Sequence, residues 1–409
     1  MKRILILGGG TAGTMMANKL VGRVDASWTI TVVDQDDDHI YQPGLLLLPF
    51  GVYRAEQLVR PRHRQLDARV ELRLSGIERV EPDRHRVTLG DGEVLDYELL
   101  VVATGCRVLP ESTPGLTGRG WRDTVHEFYT LPGAVALAHA LERFEGGRLV
   151  VNFIDLPIKC PVAPLEMVFL LEAWLRQRGI RGATELVYAT PLEGAFTKPR
   201  ASAMLGGMLA ARGIAVTPEF AVERVDGEAR TLRSYDGREE PFDLLVTVPT
   251  HAGADAISRS GMGDYTGFVP THPATLQSRD CPDVFVLGDA TDLPASKAGA
   301  VAHFQAEVLI ENLLRRIADL PLLEDFDGHA NCFIETGDGK AMLIDFNYET
   351  EPLPGRYPLP GVGPFKLLEE SHVNHWGKLA FEWVYWNRLL TGQGLPMDHR
   401  MLMAGKRSA

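Results

Sequence analysis

Four cysteines stand in the 409-residue chain, Cys106, Cys160, Cys281 and Cys332. Their spacing matches no zinc-binding pattern and they are too few for a disulfide scaffold, so any chemistry they carry is thiol or redox chemistry. Cys160 lies in Asp155-Leu-Pro-Ile-Lys-Cys160-Pro-Val-Ala-Pro164-Leu-Glu166, a stretch whose pattern predicts a buried strand over 149–154 and a helix from about 161. Lys159 and the helix N-terminus both favour the thiolate, the reactive form. Glu166, on the first helical turn, is the nearest acid and a candidate base, although acids collect at helix starts for dipole reasons alone. Cys332 falls in a predicted hairpin, strand, Gly337-Asp-Gly339 turn, strand. Cys281, in the turn Arg279-Asp-Cys-Pro-Asp283, reads as a bystander, and Cys106 as a packing residue.

The elements that must position these thiols follow an α/β pattern. Residues 3–7 form an apolar strand, followed by Gly8-Gly-Gly10-Thr11-Ala12-Gly13 and a helix through Leu20. In this G-x-G-x-x-G turn Gly8 allows the tight bend, Gly10 lets the backbone approach a pyrophosphate, and Gly13 lets helix and strand pack closely. The helix N-terminus offers amides to phosphate. A second strand, 28–33, ends in Asp34, placed for a ribose hydroxyl. Further buried strands end in Ala103-Thr104-Gly105 and in Gly288-Asp289, the latter an acid able to reach ribityl hydroxyls.

A second nucleotide domain would need a second glycine turn, at the junction where Cys160 stands. Prolines occupy it instead; they remove donors and block close phosphate approach. The next strand, 185–190, ends without a ribose acid. Two requirements fail, so NAD(P)H binding is not expected there.

Composition is that of a globular chain of two or three domains, with 45% hydrophobic and 23% charged residues. A net charge of −12 argues against a nucleic-acid partner. Met1-Lys2-Arg3 runs directly into a strand with no apolar leader, and no window reaches about eighteen uncharged apolar residues, so neither a secretory signal nor a spanning helix is expected. Residues 372–390 read as an aromatic helix whose polar stripe is Asn374, Lys378 and Glu382, within a tail (361–409) carrying six Lys/Arg against four Asp/Glu. That pattern suits a helix lying in a membrane interface.

The glycine turn, the Ala-Thr-Gly strand and the Gly-Asp strand, in this order, resemble the glutathione-reductase-like flavoproteins with two dinucleotide-binding domains. The resemblance implies two Rossmann-like domains, the second inserted in the first: an FAD domain in two parts (1–112 and 246–318), a second domain with a degenerate nucleotide site (113–245), and a C-terminal region (319–409) with a hairpin and an amphipathic membrane-binding helix. It implies FAD held by Gly8, Gly10, Thr11, Ala12, Gly13, Asp34, Gln42, Thr104, Gly105, Gly288 and Asp289. Lys297, where a helix should point at the flavin, would stabilise its reduced form.

Lys159-Cys160-Pro-x-Ala-Pro-x-Glu166, with Cys332-Phe333 through Phe346-x-Tyr348, resembles more narrowly the sulfide:quinone oxidoreductases. That resemblance implies a sulfur bridge between Cys160 and Cys332, attacked by hydrosulfide, with two electrons passing through FAD to a membrane quinone. Phe333 and Phe381 would sandwich the quinone ring and Lys378 would hydrogen-bond its carbonyl. The tail would hold the protein peripherally on a membrane, expected to be a bacterial inner membrane; a homo-oligomer remains open. Several bacterial members carry a further cysteine about thirty residues before the first catalytic one, and around Glu127 and Phe128 this chain has none. Rival readings are a flavocytochrome c sulfide dehydrogenase flavoprotein subunit, an NADH:quinone reductase and a non-catalytic flavin redox sensor.

Overall fold

Ile4 to Leu7 carry apolar side chains on both faces, a pattern that only a central strand covered on both sides can bury. In a computed structural model, which describes residues 2–359, 362–395 and 397–407, strand Lys2–Leu7 pairs in parallel with Trp28–Asp34 on one side and Leu99–Val102 on the other. Val284–Val286 and Glu71–Leu74 complete a five-stranded parallel sheet. Helices Thr11–Leu20 and Gly299–Ile317 pack against each other beside it.

A second parallel sheet is ordered Val125–His126, Leu244–Val248, Gly147–Phe153, Thr184–Ala189, Ala215–Thr217. All of its strands fall in sequence between Leu99–Val102 and Val284–Val286 of the first sheet, so the second unit is threaded into the first. The two connecting segments, Arg107–Leu109 and Thr250–Ala252, pair as an antiparallel ribbon. The architecture is α/β with two parallel sheets, and among the described residues no helix is long and apolar enough to cross a membrane.

The hairpin Ala330–Gly337 and Lys340–Phe346 sets Cys332 opposite Ile344. Its turn places Gly337, Asp338 and Gly339 at positive φ, the reason glycines flank the aspartate. The cysteine helix, Ala163–Gln177, begins two residues later than its sequence suggests and packs against Ala330–Gly337. The tail helix, His372–Val384, packs on the other hairpin strand and continues through a five-residue π turn, Tyr385–Leu389.

Candidate functional site

Around the first glycine turn the backbone leaves a cradle. Gly8 has φ +97°, and a Cβ there would lie 2.4 Å from the Ala103 carbonyl oxygen. A Cβ on Gly13 would lie 1.8 Å from the Gly8 oxygen, whereas Cβ atoms built on Gly10 or Gly105 would meet nothing within 4 Å. The Thr11–Leu20 helix has no side-chain cap at its N-terminus. Thr104 Oγ1 is buried with no hydrogen-bond partner. Free helix amides, open backbone and an orphaned hydroxyl together fit a pyrophosphate-linked flavin.

Asp34 accepts a hydrogen bond from Gly9 N at 2.7 Å and pairs with Arg62 at 3.0 Å. Burial pushes its carboxyl up, against the pull of Arg62. Thr11 Oγ1 shares a 2.7 Å hydrogen bond with the Tyr385 hydroxyl, which lies 2.7 Å from His39 Nε2 on its other side. Burial lowers His39 to about 3, leaving it neutral. The π turn of the tail thus locks onto the glycine turn. Asp289, beside Gly288 on a 3-10 turn, has Cys106 Sγ 3.9 Å from Oδ2, and burial raises both groups, Cys106 to about 12. Lys297 departs from expectation. It precedes the helix, and its ammonium donates to the carbonyls of Asp289 (2.9 Å) and Thr291 (2.7 Å).

Cys160 sits at φ +45°, a conformation that a residue with a side chain adopts at a cost of about 1–3 kcal/mol. Three hydrogen bonds impose it. The Cys160 amide donates to Lys297 O (2.7 Å), and its carbonyl accepts from Ala163 N (2.8 Å) and the Tyr129 hydroxyl (3.2 Å). Cys332 is buried on the facing hairpin, and both thiols are free. The expected thiolate is not what this environment favours. Lys159 is turned away, donating to Gln42 Oε1 at 3.0 Å. Burial pushes the Cys160 thiol well up, helped by the charges of Glu166 and Cys332; Cys332 rises to about 12 for the same reasons, burial and Glu166. Desolvation outweighs the helix dipole here. The cation that opposes it is Lys378.

Glu166 is fully buried and ion-paired with Lys378; its Oε1 also accepts from Glu335 N at 2.7 Å, while Oε2 has no partner. Burial raises the Glu166 carboxyl against Lys378's pull, and burial of Lys378 is outweighed by Glu166 and Glu335, which hold its ammonium above the ordinary range. The structure therefore pairs Glu166 with Lys378 where their charges act on both Cys160 and Cys332. Phe333 and Phe381 are both half-buried. Phe333's ring meets Phe365 at 5.3 Å and Phe381's meets Tyr385 at 6.4 Å. Gly377 makes room for the first pair, because a Cβ there would lie 2.3 Å from Phe365.

The tail helix is inverted. Asn374 is buried, hydrogen-bonded to Lys366 and Glu369; Lys378 meets Glu166; and the Glu382 charge helps burial push the Tyr53 hydroxyl up to about 12. The polar stripe faces the protein, and Trp376 and Trp383 are 64% and 62% exposed.

Sequence reasoning missed Arg62, Tyr385, Tyr129, Glu335 and Phe365. Arg62 is one of three arginines in Arg60-Pro-Arg62-His-Arg64 and nothing local singles it out. Glu335 had a usable signal, an acid inside an apolar hairpin strand three residues after Cys332.

The architecture is an α/β fold with two parallel sheets, the second threaded into the first, and it carries two cysteines beside a buried acid. The model for the pyridine nucleotide-disulphide oxidoreductases matches residues 2–151. Over nearly its whole length, the chain is similar to sulfide:quinone oxidoreductases. It is 26% identical over 396 residues to the mitochondrial sulfide:quinone oxidoreductase of Mus musculus, covering 95% of this chain and 86% of that protein. The mitochondrial enzyme of Dictyostelium discoideum is likewise 26% identical, covering 96% and 86%. Among solved structures, the sulfide:quinone oxidoreductase of Aquifex aeolicus superposes with a TM-score of 0.80 at 19% identity, covering 96% of this chain and 92% of that one, a likeness of fold.

Proposed function

We propose that this protein is an FAD-dependent sulfide:quinone oxidoreductase working at a membrane surface. The observation that carries the reading is two free thiols, half-buried Cys160 and buried Cys332, beside a buried acid and its partnered ammonium, at a junction where a nicotinamide site would need glycines. The names of its relatives point the same way.

Gly8, Gly10, Thr11, Ala12, Gly13, Asp34, Gln42, Thr104, Gly105, Gly288, Asp289 and Lys297 would hold the flavin. When bound, the flavin accepts the electron pair from sulfur and hands it to quinone. Cys160 and Cys332 receive the substrate sulfur, and Tyr129 and Lys297 hold the Cys160 backbone in place through its carbonyl and amide. Burial keeps the resting thiols protonated, so Glu166 Oε2, a vacant acceptor in the same pocket, takes the thiol or hydrosulfide proton. Lys378 offsets the negative charge that results. Phe333 and Phe381, with Phe365, line the quinone side, and Lys378 donates to the quinone oxygen.

Membrane attachment falls to the outward aromatic face of the tail helix, joined by exposed Leu359, Val362, Leu402 and Met403.

The test is anaerobic mixing of oxidised protein with sulfide and, separately, with NADH, followed by flavin absorbance. Bleaching by sulfide only, lost in Cys160→Ser and in Cys332→Ser, with reoxidation by a short-chain quinone, is the expected result. Bleaching by NADH only makes the protein a nicotinamide-dependent reductase, and sulfide bleaching without quinone reoxidation points to a haem acceptor or a sensor.

A further inference from the structure

Each turnover on the proposed reading obeys HS⁻ + H⁺ + quinone → S⁰ + quinol. Quinone takes up two electrons and two protons, both electrons come from hydrosulfide, and hydrosulfide supplies only one proton. One proton must therefore come from bulk water into a pocket whose acid, Glu166, is fully buried.

A set of titratable side chains leads from that acid toward the surface. Lys378, ion-paired with Glu166, stands between two buried carboxylates, Glu166 and Glu335, whose charges both stabilise its ammonium. Glu335 is 1% exposed on the hairpin strand, and its amide bonds Glu166 Oε1 at 2.7 Å. Its carboxylate oxygens lie 3.0 and 2.9 Å from His375 Nδ1. Both are acceptors, so Nδ1 carries the proton. The His375 side chain is 22% exposed, and its other ring nitrogen has no protein partner among the described residues. It is open to water at the one end and bonded to a buried acid at the other.

We infer that Glu335 and His375 are the proton inlet of this site, passing protons from water through Lys378 to Glu166 and the quinone. The inference rests on the sulfide:quinone reading. A purely structural strand would not hold a buried carboxylate whose one side-chain partner is a half-open imidazole, since an apolar residue there would avoid the desolvation cost. The longest link is from Glu335 to Lys378, which no direct contact bridges; rotation of the flexible Lys378 stem or a single water closes it. The remaining charged or titratable groups around His375 are few. His372 and Lys378 share its helix, and Glu166 faces it from the cysteine helix. The Arg212–Glu370 pair lies beyond Thr336, whose carbonyl Arg212 bonds.

The experiment separates two phases in the flavin-loaded protein by stopped flow: flavin reduction by sulfide, then reoxidation by decylubiquinone. Glu335→Gln and His375→Ala should leave the first phase within about twofold and slow the second at least about tenfold. Added imidazole should restore the second phase in His375→Ala but not in Glu335→Gln, a rescue that a structural role would not produce. A readout independent of turnover is the Nδ1–H proton resonance of His375, which should move upfield in Glu335→Gln as a neutral amide replaces the carboxylate it donates to. An unchanged second phase in both variants, or equal slowing of both phases without rescue, overturns the inlet. If the wild-type flavin is not bleached by sulfide at all, the functional reading fails instead.

Discussion

Replacing Lys378 by Met should expose the energetics of the buried pair. The substitution keeps volume and stem but removes the cation that faces Glu166, which is fully buried. Removing one partner of a buried ion pair costs about 3–5 kcal/mol, because the other charge is left without compensation. Spread over 409 residues, at about 2 cal/mol/K of unfolding entropy per residue, that loss lowers the thermal midpoint by about 3–6 °C. Its pH dependence has a defined sign. Burial already raises the Glu166 carboxyl, and loss of its main counter-charge raises it further above the value in the unfolded chain. A group of this kind supports the fold below its unfolded value, and that support is lost as pH rises through the folded value. The deficit of Lys378→Met against wild type should therefore be small near pH 5 and full near pH 8.5. Removing both charges, in Glu166→Gln with Lys378→Met, should recover most of it. Thermal or urea midpoints of these three proteins at about pH 5.5 and about pH 8.5 decide the matter. A loss below about 1 kcal/mol, or one equal at both pH values, would refute the unpaired-charge argument.

Four further outcomes are expected. Tyr385→Phe strands the Thr11 hydroxyl and His39 Nε2, lowers stability by about 1–3 kcal/mol and speeds flavin loss, both measurable by thermal shift and dialysis. Gly13→Ala forces a methyl onto the Gly8 carbonyl, so the purified protein should be nearly colourless. Trp376→Asp and Trp383→Asp should each weaken liposome co-sedimentation about tenfold or more while leaving sulfide-dependent bleaching intact; unchanged binding would mean that this face docks a protein, not lipid. In the reduced protein, alkylation of Cys160 and Cys332 should climb with pH without levelling off below about pH 9, because burial holds both thiols protonated.

The glycine turn, its flanking strands and the cysteine segment were readable because each is local. An apolar run followed by Gly8, Gly10 and Gly13 allows few conformations, and the prolines around Cys160 mark a helix start whatever surrounds them. What escaped was long-range. Lys378 and Glu166 are 212 residues apart and Thr11 and Tyr385 are 374 apart, so no window contains either pair. Thiol acidity was misjudged for the same reason. Lys159 and the helix start are neighbours in sequence, but the depth of burial that overrides them is set by the distant hairpin and tail. Likewise the stripe Asn374, Lys378, Glu382 was visible, but not the direction it faces. Truncation at residue 361 would be a poor probe of membrane attachment, because Lys378, Tyr385 and the buried Lys406–Asp345 pair belong to the folded body.

The inverted tail helix bears on protein engineering. A designer seeking a version that stays dispersed without detergent would ordinarily add charge along the polar stripe and leave the aromatics alone. Here that recipe would break the inward contacts of Asn374 and Lys378, since the stripe faces the protein. The residues free to vary are the ones that look like a core: Val373, Trp376 and Trp383 could become glutamate or lysine with little effect on the fold. On the proposed reading, a detergent-free variant would then be one that reduces water-soluble quinones at full rate and has lost only its access to the bilayer.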